Sequence, residues 1–165
     1  KGYIMTLNEK IGVILKQHKE GEEFFNALDF MIKGDRSILE DFLCLFMNDA
    51  GRTLELSNVG LIVSGGFGNA IMTMYGDRLT RTFKEVIVTN GGIRLGNEAA
   101  IFKDKLLCKS WIFIDDSYYL GRTRAGISVA LRRIRPDASI CETYVIYDGS
   151  MGRADKVKSM YRYNK

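Results

Sequence analysis

Between Trp111 and Thr123 the sequence sets an apolar run, Trp111-Ile112-Phe113-Ile114, against two adjacent carboxylates, Asp115 and Asp116, followed by Ser117-Tyr118-Tyr119-Leu120-Gly121-Arg122-Thr123. That order predicts a strand delivering both acids to the rim of a sheet, then a tight loop running into a helix. Backbone N–H groups at the start of a helix point outward, and with the helix dipole they make a natural phosphate site. Gly121 lets the backbone approach an anion closely, Ser117 and Thr123 add hydroxyl donors, and Arg122 adds a cation. The two carboxylates cannot favour a phosphate. They suit the neutral part of a sugar phosphate, accepting hydrogen bonds from ribose hydroxyls or holding Mg²⁺ through water. Anion at the loop and diol at the acids together describe a ribose 5-phosphate. The plain alternative is a pair of acids that ends a strand or caps a helix.

The segment resembles the phosphoribosyl pyrophosphate loop of type I phosphoribosyltransferases. That loop runs from an apolar strand into two acids, a few variable residues, a hydroxyl residue, Gly, any residue, and Thr or Ser. The order of elements from Asn58 to Gly149 also follows that family. The resemblance implies an α/β, parallel-sheet (Rossmann-like) domain that binds phosphoribosyl pyrophosphate or a nucleotide. With Mg²⁺ it would transfer ribose 5-phosphate to or from a nitrogenous base. Asp115 and Asp116 would take the ribose diol and, through water, the metal, while Ser117, Gly121, Arg122 and Thr123 take the 5-phosphate. Ser64, Gly65 and Gly66, in Ser64-Gly65-Gly66-Phe67-Gly68, stand where the family binds pyrophosphate, with small residues that let backbone amides meet oxyanions. Thr89–Ala100 stands where the family has a mobile loop; Arg94, its one cation, would close over the leaving group beside Asp115 and Asp116.

Three departures from the pattern keep a second reading open. Leu120 occupies the position where the family has Thr or Ser, Tyr118 and Tyr119 are bulky, and the segment around Arg94 lacks a basic cluster. The alternative is a module of the same fold that binds or regulates without catalysing transfer. Tyr147 and Asp148 end a later apolar run and are positioned to meet a base, by stacking and by accepting a base N–H; a strand-terminating turn explains them equally well. A dinucleotide loop is disfavoured, because Ile71 stands where the third glycine after Gly66 and Gly68 belongs.

The elements that would position these residues change character near Asn58. Before it the grammar is helical: Thr6-x-x-Glu9 and Ser37-x-x-Glu40 are capping-box patterns, and Phe25, Leu28 and Ile32 suggest a helix between. Residues 1–57 therefore read as a helical N-terminal region, a hood or a partner surface. From 58 to 150, apolar runs at Val59–Val63, Val86–Val88, Trp111–Ile114 and Tyr144–Tyr147 alternate with helix-like stretches, as in a parallel sheet buried on both faces. Ligands of such sheets bind beyond the carboxyl ends of the strands, where the Gly and Asp residues fall. Residues 151–165 form a basic stretch, with Arg153, Lys156, Lys158, Arg162 and Lys165 among Tyr161 and Tyr163. A solvated end is favoured there over a nucleic-acid contact, because no RNA-binding motif accompanies it.

Length and composition fit one globular domain: 165 residues, 46% hydrophobic and 27% charged, with a net charge of +4. No apolar run approaches the ~20 residues of a membrane span, and the first residues lack a signal-peptide pattern. The expected location is the cytoplasm. Cys44, Cys108 and Cys141 are scattered in apolar surroundings and read as buried thiols of a reducing compartment. His18, the single histidine, lies in a polar stretch, which disfavours a His-ligated zinc and a Ser-His-Asp triad. The resemblance also leaves room for a homodimer.

Overall fold

A computed structural model of the chain describes residues 9–10, 12–13, 31–32, 34–89, 101, 103–153 and 156–162. Thr6, His18, the helix expected around Phe25 and Leu28, and 90–100 with Arg94 lie outside the described residues.

Each apolar run of the second half becomes a strand: β1 (Gly60–Ser64), β2 (Glu85–Thr89), β3 (Ser110–Tyr118) and β4 (Ser139–Asp148). A fifth strand, β5 (Val157–Arg162), lies where the sequence suggests a solvated basic stretch. All pair in parallel in the order β2-β1-β3-β4-β5. The parallel α/β expectation is therefore met, and the physical reason is visible in β1, where Leu61, Ile62 and Val63 are fully buried on both faces.

Helix α1 (Arg36–Thr53) packs on one face of the sheet with α2 (Gly65–Thr82), which links β1 to β2. Phe42 of α1 meets Phe67 of α2 edge-on at 5.5 Å, and Phe46 stacks on Phe83 at 6.2 Å. Helix α3 (Arg122–Ile134) links β3 to β4 and covers the other face, where Ile127 and Leu131 pack with Ile62, Trp111 and Phe113. Successive side chains of a strand point to opposite faces, so Ile112 and Ile114 join the α1–α2 core while Trp111 and Phe113 join the α3 core. Gly60 makes room for the largest of these: a Cβ there would lie 2.4 Å from the ring of Trp111, its partner in register.

Two local expectations need correction. The cap of α1 is Asp35, not Ser37; its carboxylate accepts from the Ser37 N–H at 3.0 Å and the Ser37 hydroxyl at 2.5 Å. Both residue types cap well, and the extended backbone falls at Asp35. Among the cysteines, Cys108 is buried and Cys141 partly so, but Cys44 is exposed, on the side of α1 away from Phe42 and Phe46.

Candidate functional site

The strand order creates the site. From β1 the chain crosses through α2 to β2 on one side, and from β3 it crosses through α3 to β4 on the other. Between the carboxyl ends of β1 and β3 the two crossovers diverge, which is where open α/β sheets take their ligands. β1 ends at Ser64 and turns at once into α2, with Gly65 in the left-handed region at φ 67°. Its last partner on β3 is Ile114. β3 runs on beside β4 as far as Tyr118, pairing Asp115 with Val145 and Tyr118 with Asp148. The acids are thus not at the strand's end, as the sequence suggests, but in its extension past β1. That extension leaves the side of β3 facing β1 open.

The opening is a cleft of about 540 Å³, within the range of small-molecule sites. Ser64, Gly65 and Gly66 line it from β1 and α2; Asp115, Asp116, Ser117, Gly121, Arg122 and Thr123 line it from β3 and α3. These sequence-derived candidates are brought together. Arg94 lies outside the described residues. Tyr147 and Asp148 are fully buried and do not line the cleft. Tyr147 stacks on Tyr161 of β5 at 5.7 Å. Asp148 accepts from the Ser150 N–H at 2.9 Å, and its other oxygen lies 3.4 Å from Arg162 Nε, an ion-pair distance without hydrogen-bond geometry.

Both helices that begin at the cleft present open N-termini. Neither Ser64, before α2, nor Gly121, before α3, makes a side-chain cap, and neither helix has an acid in its first turn. Their leading N–H groups and dipoles therefore face the cleft without a competing carboxylate. Gly121 sits at φ 75°, a conformation that L side chains resist. The acids supply the opposite polarity. Asp115 accepts from the Asp116 N–H at 2.8 Å, and Ser117 Oγ donates to Asp116 at 3.3 Å. Burial, and next the charge of Asp116, push the Asp115 carboxyl well above the usual carboxylate range. Among the described residues no cluster of His, Cys, Asp and Glu offers three metal ligands. Two adjacent, mutually repelling oxygen donors nevertheless suit a hard cation that keeps most of its own water, as Mg²⁺ does.

Six lining residues carry no ligand role in the sequence reading: Phe67, Phe113, Tyr118, Tyr119, Leu120 and Arg124. Arg124 NH2 donates to Tyr118 Oη at 2.9 Å, and the guanidinium lies 4.8 Å from the centre of the same ring. The available signal is Arg124's place in the first turn after the loop.

The architecture is that of type I phosphoribosyltransferases. The chain superposes on orotate phosphoribosyltransferase from Aeropyrum pernix with a TM-score of 0.54 and 18% identity, over 78% of this chain and 73% of that one. Purine phosphoribosyltransferase from Pyrococcus horikoshii matches with a TM-score of 0.52 and 12% identity, over 76% of this chain and 84% of that one. Adenine phosphoribosyltransferase from Saccharomyces cerevisiae matches at 0.50 and 13%, over 81% of each chain. At this identity the likeness establishes the shared fold. By sequence, no protein-family model and no curated protein matches.

Proposed function

We propose that the cleft binds phosphoribosyl pyrophosphate and that the protein transfers ribose 5-phosphate between pyrophosphate and a nitrogenous base. The observation that carries this reading is the convergence of two uncapped helix N-termini and a carboxylate pair on one cleft. A ligand with an anion at each end and a diol between them matches that polarity. Ser117, Gly121, Arg122 and Thr123 hold the 5-phosphate; Asp115 and Asp116 accept from the ribose hydroxyls and hold hydrated Mg²⁺. Ser64, Gly65 and Gly66 receive the pyrophosphate at the start of α2, and Arg94 closes over it. Bound Mg²⁺ would neutralise developing charge on the leaving pyrophosphate. The rate advantage supplied by the chain is positioning and fixed dipoles aimed at that charge. No base-binding role is carried over to Tyr147 and Asp148, which β5 covers.

Leu120 favours a second reading, in which the same cleft binds without turnover. The residue is 56% exposed and offers no hydroxyl at the position where the resemblance expects one. Titration calorimetry with phosphoribosyl pyrophosphate, with and without Mg²⁺, followed by a pyrophosphate-release screen across bases, separates the readings. Mg²⁺-dependent binding with release supports the transferase, and binding without release supports the module. Absence of binding would sink both.

A further inference from the structure

The loop that lacks a hydroxyl at Leu120 has another within reach. A Cβ placed on Gly121 would lie 2.3 Å from Tyr118 Oη and 2.9 Å from Tyr118 Cζ, so the phenol end of Tyr118 folds back over the Gly121 backbone. Tyr118 lines the cleft, and its position is fixed at the main chain, where its carbonyl accepts from the Gly149 N–H at 2.8 Å. Its hydroxyl is oriented by Arg124, whose guanidinium donates to Oη at 2.9 Å and also reaches Thr143 Oγ1 at 3.4 Å. A guanidinium has donors and no acceptor, so the Tyr118 hydroxyl must accept from Arg124 and keeps its own proton to donate elsewhere. A donor polarised by an adjacent cation favours an anionic acceptor.

We infer that Tyr118, held by Arg124, supplies the phosphate-loop hydroxyl that Leu120 lacks. The inference rests on the reading of the cleft as a ribose-phosphate site. Tyr118 donates to the 5-phosphate, and Arg124 is a positioning residue that fixes the direction of the O–H and adds charge behind it. The glycine at 121 then has a second purpose beyond its backbone angle, because any side chain there would displace the hydroxyl. Loop chemistry has moved from a short hydroxyl on the loop to a long one on the strand that precedes it.

The test uses the full chain and two ligands, each with Mg²⁺: phosphoribosyl pyrophosphate, and pyrophosphate alone, which lacks the 5-phosphate. Tyr118→Phe deletes one oxygen. It is expected to weaken phosphoribosyl pyrophosphate about tenfold to a hundredfold, the loss of a hydrogen bond to a charged group, and to leave pyrophosphate affinity unchanged. The double variant Tyr118→Phe/Leu120→Thr restores a hydroxyl in the loop and should recover most of the lost affinity. That recovery should occur even where melting shows Tyr118→Phe to be less stable, which a merely structural role would not produce. If the wild type binds but Tyr118→Phe binds equally well or more tightly, the inference is overturned while the cleft reading stands. A double variant that fails to recover overturns it in the same way. If the wild type binds neither ligand, the cleft reading fails and takes the inference with it.

Discussion

Half-buried beside Asp116, the carboxyl of Asp115 is held above its ordinary range first by lost solvation and then by its neighbour's charge. An acid whose pKa is higher in the folded than in the unfolded chain binds its proton more tightly in the fold. Stability therefore falls as pH rises from the ordinary carboxylate range through the raised folded value, and stays at the lower level above it. Asp115→Asn should remove that slope and raise the melting temperature at neutral pH, by roughly 2–4 °C for each kcal/mol regained. The amide oxygen can still accept from the Asp116 N–H, so the strand should persist. The same change should weaken Mg²⁺-dependent binding of phosphoribosyl pyrophosphate by about 1–3 kcal/mol, through loss of a charged acceptor. Melting curves across pH and calorimetry on one preparation check both halves. A variant that binds fully would show that Asp115 takes no part in holding the ligand. Residue types alone disclosed these acids, because two carboxylates beside a glycine loop make chemical sense wherever the loop folds. They did not disclose Tyr118 and Arg124, whose pairing depends on where the ring lands over Gly121.

Helix α1 is tied to β4 and β5 through a phenol and an ammonium. Tyr144 Oη on β4 lies 2.5 Å from Asp49 Oδ2 on α1 and also contacts Glu142 Oε2, while Lys158 Nζ on β5 lies 2.6 Å from Asp49 and 3.6 Å from Glu142. The hydrogen bond from Lys158, and next that from Tyr144, hold the Asp49 carboxyl below the usual range. A depressed acid stabilises the fold above the ordinary carboxylate range, and that stability is lost as pH falls through the depressed value. Tyr144→Phe keeps the ring against Phe46 and removes the shared donor, leaving the two carboxylates with Lys158 and, for Glu142, the Thr53 hydroxyl at 3.4 Å. The expected cost is about 1–2 kcal/mol in denaturant unfolding, with an unchanged m value and an earlier acid transition. An unaltered midpoint would show that the tie contributes nothing. The four apolar strands were legible because each carries an unbroken apolar run, which in β1, β3 and β4 is buried on both faces and in β2 is Val86-Ile87-Val88. β5 was not, since Lys158 and Arg162 sit on an edge strand of which only Val157 is fully buried. That omission propagated, because β5 is what covers Tyr147 and Asp148, the residues expected to meet a base.

At the scale of the whole molecule, the cleft depends on β1 and β3 being neighbours although β2 lies between them in sequence. The sequence anticipated this through the rule that places ligands beyond the carboxyl ends of parallel strands. It did not show that β3 outruns β1, which needs the register. A ligand held by both helix N-termini bridges segments that separate on unfolding, so binding should stabilise the entire fold. With phosphoribosyl pyrophosphate and Mg²⁺ at about 100 times the dissociation constant, linkage gives about 2.7 kcal/mol. For a chain of this size that corresponds to a rise in melting temperature of about 5–10 °C. Gly121→Val should abolish the rise, because valine resists φ 75° and its Cβ would collide with Tyr118 Oη. Gly65→Val, at φ 67° on the opposite wall, should abolish it as well. Lys158→Ala, which breaks the ion pairs to Asp49 and Glu142 away from the cleft, should lower the melting temperature yet preserve the ligand-induced rise. Scanning fluorimetry of the four proteins with and without ligand reads all these outcomes. A rise that survives in both glycine variants, or that disappears in Lys158→Ala alone, would mean that the ligand does not bridge the ends of β1 and β3.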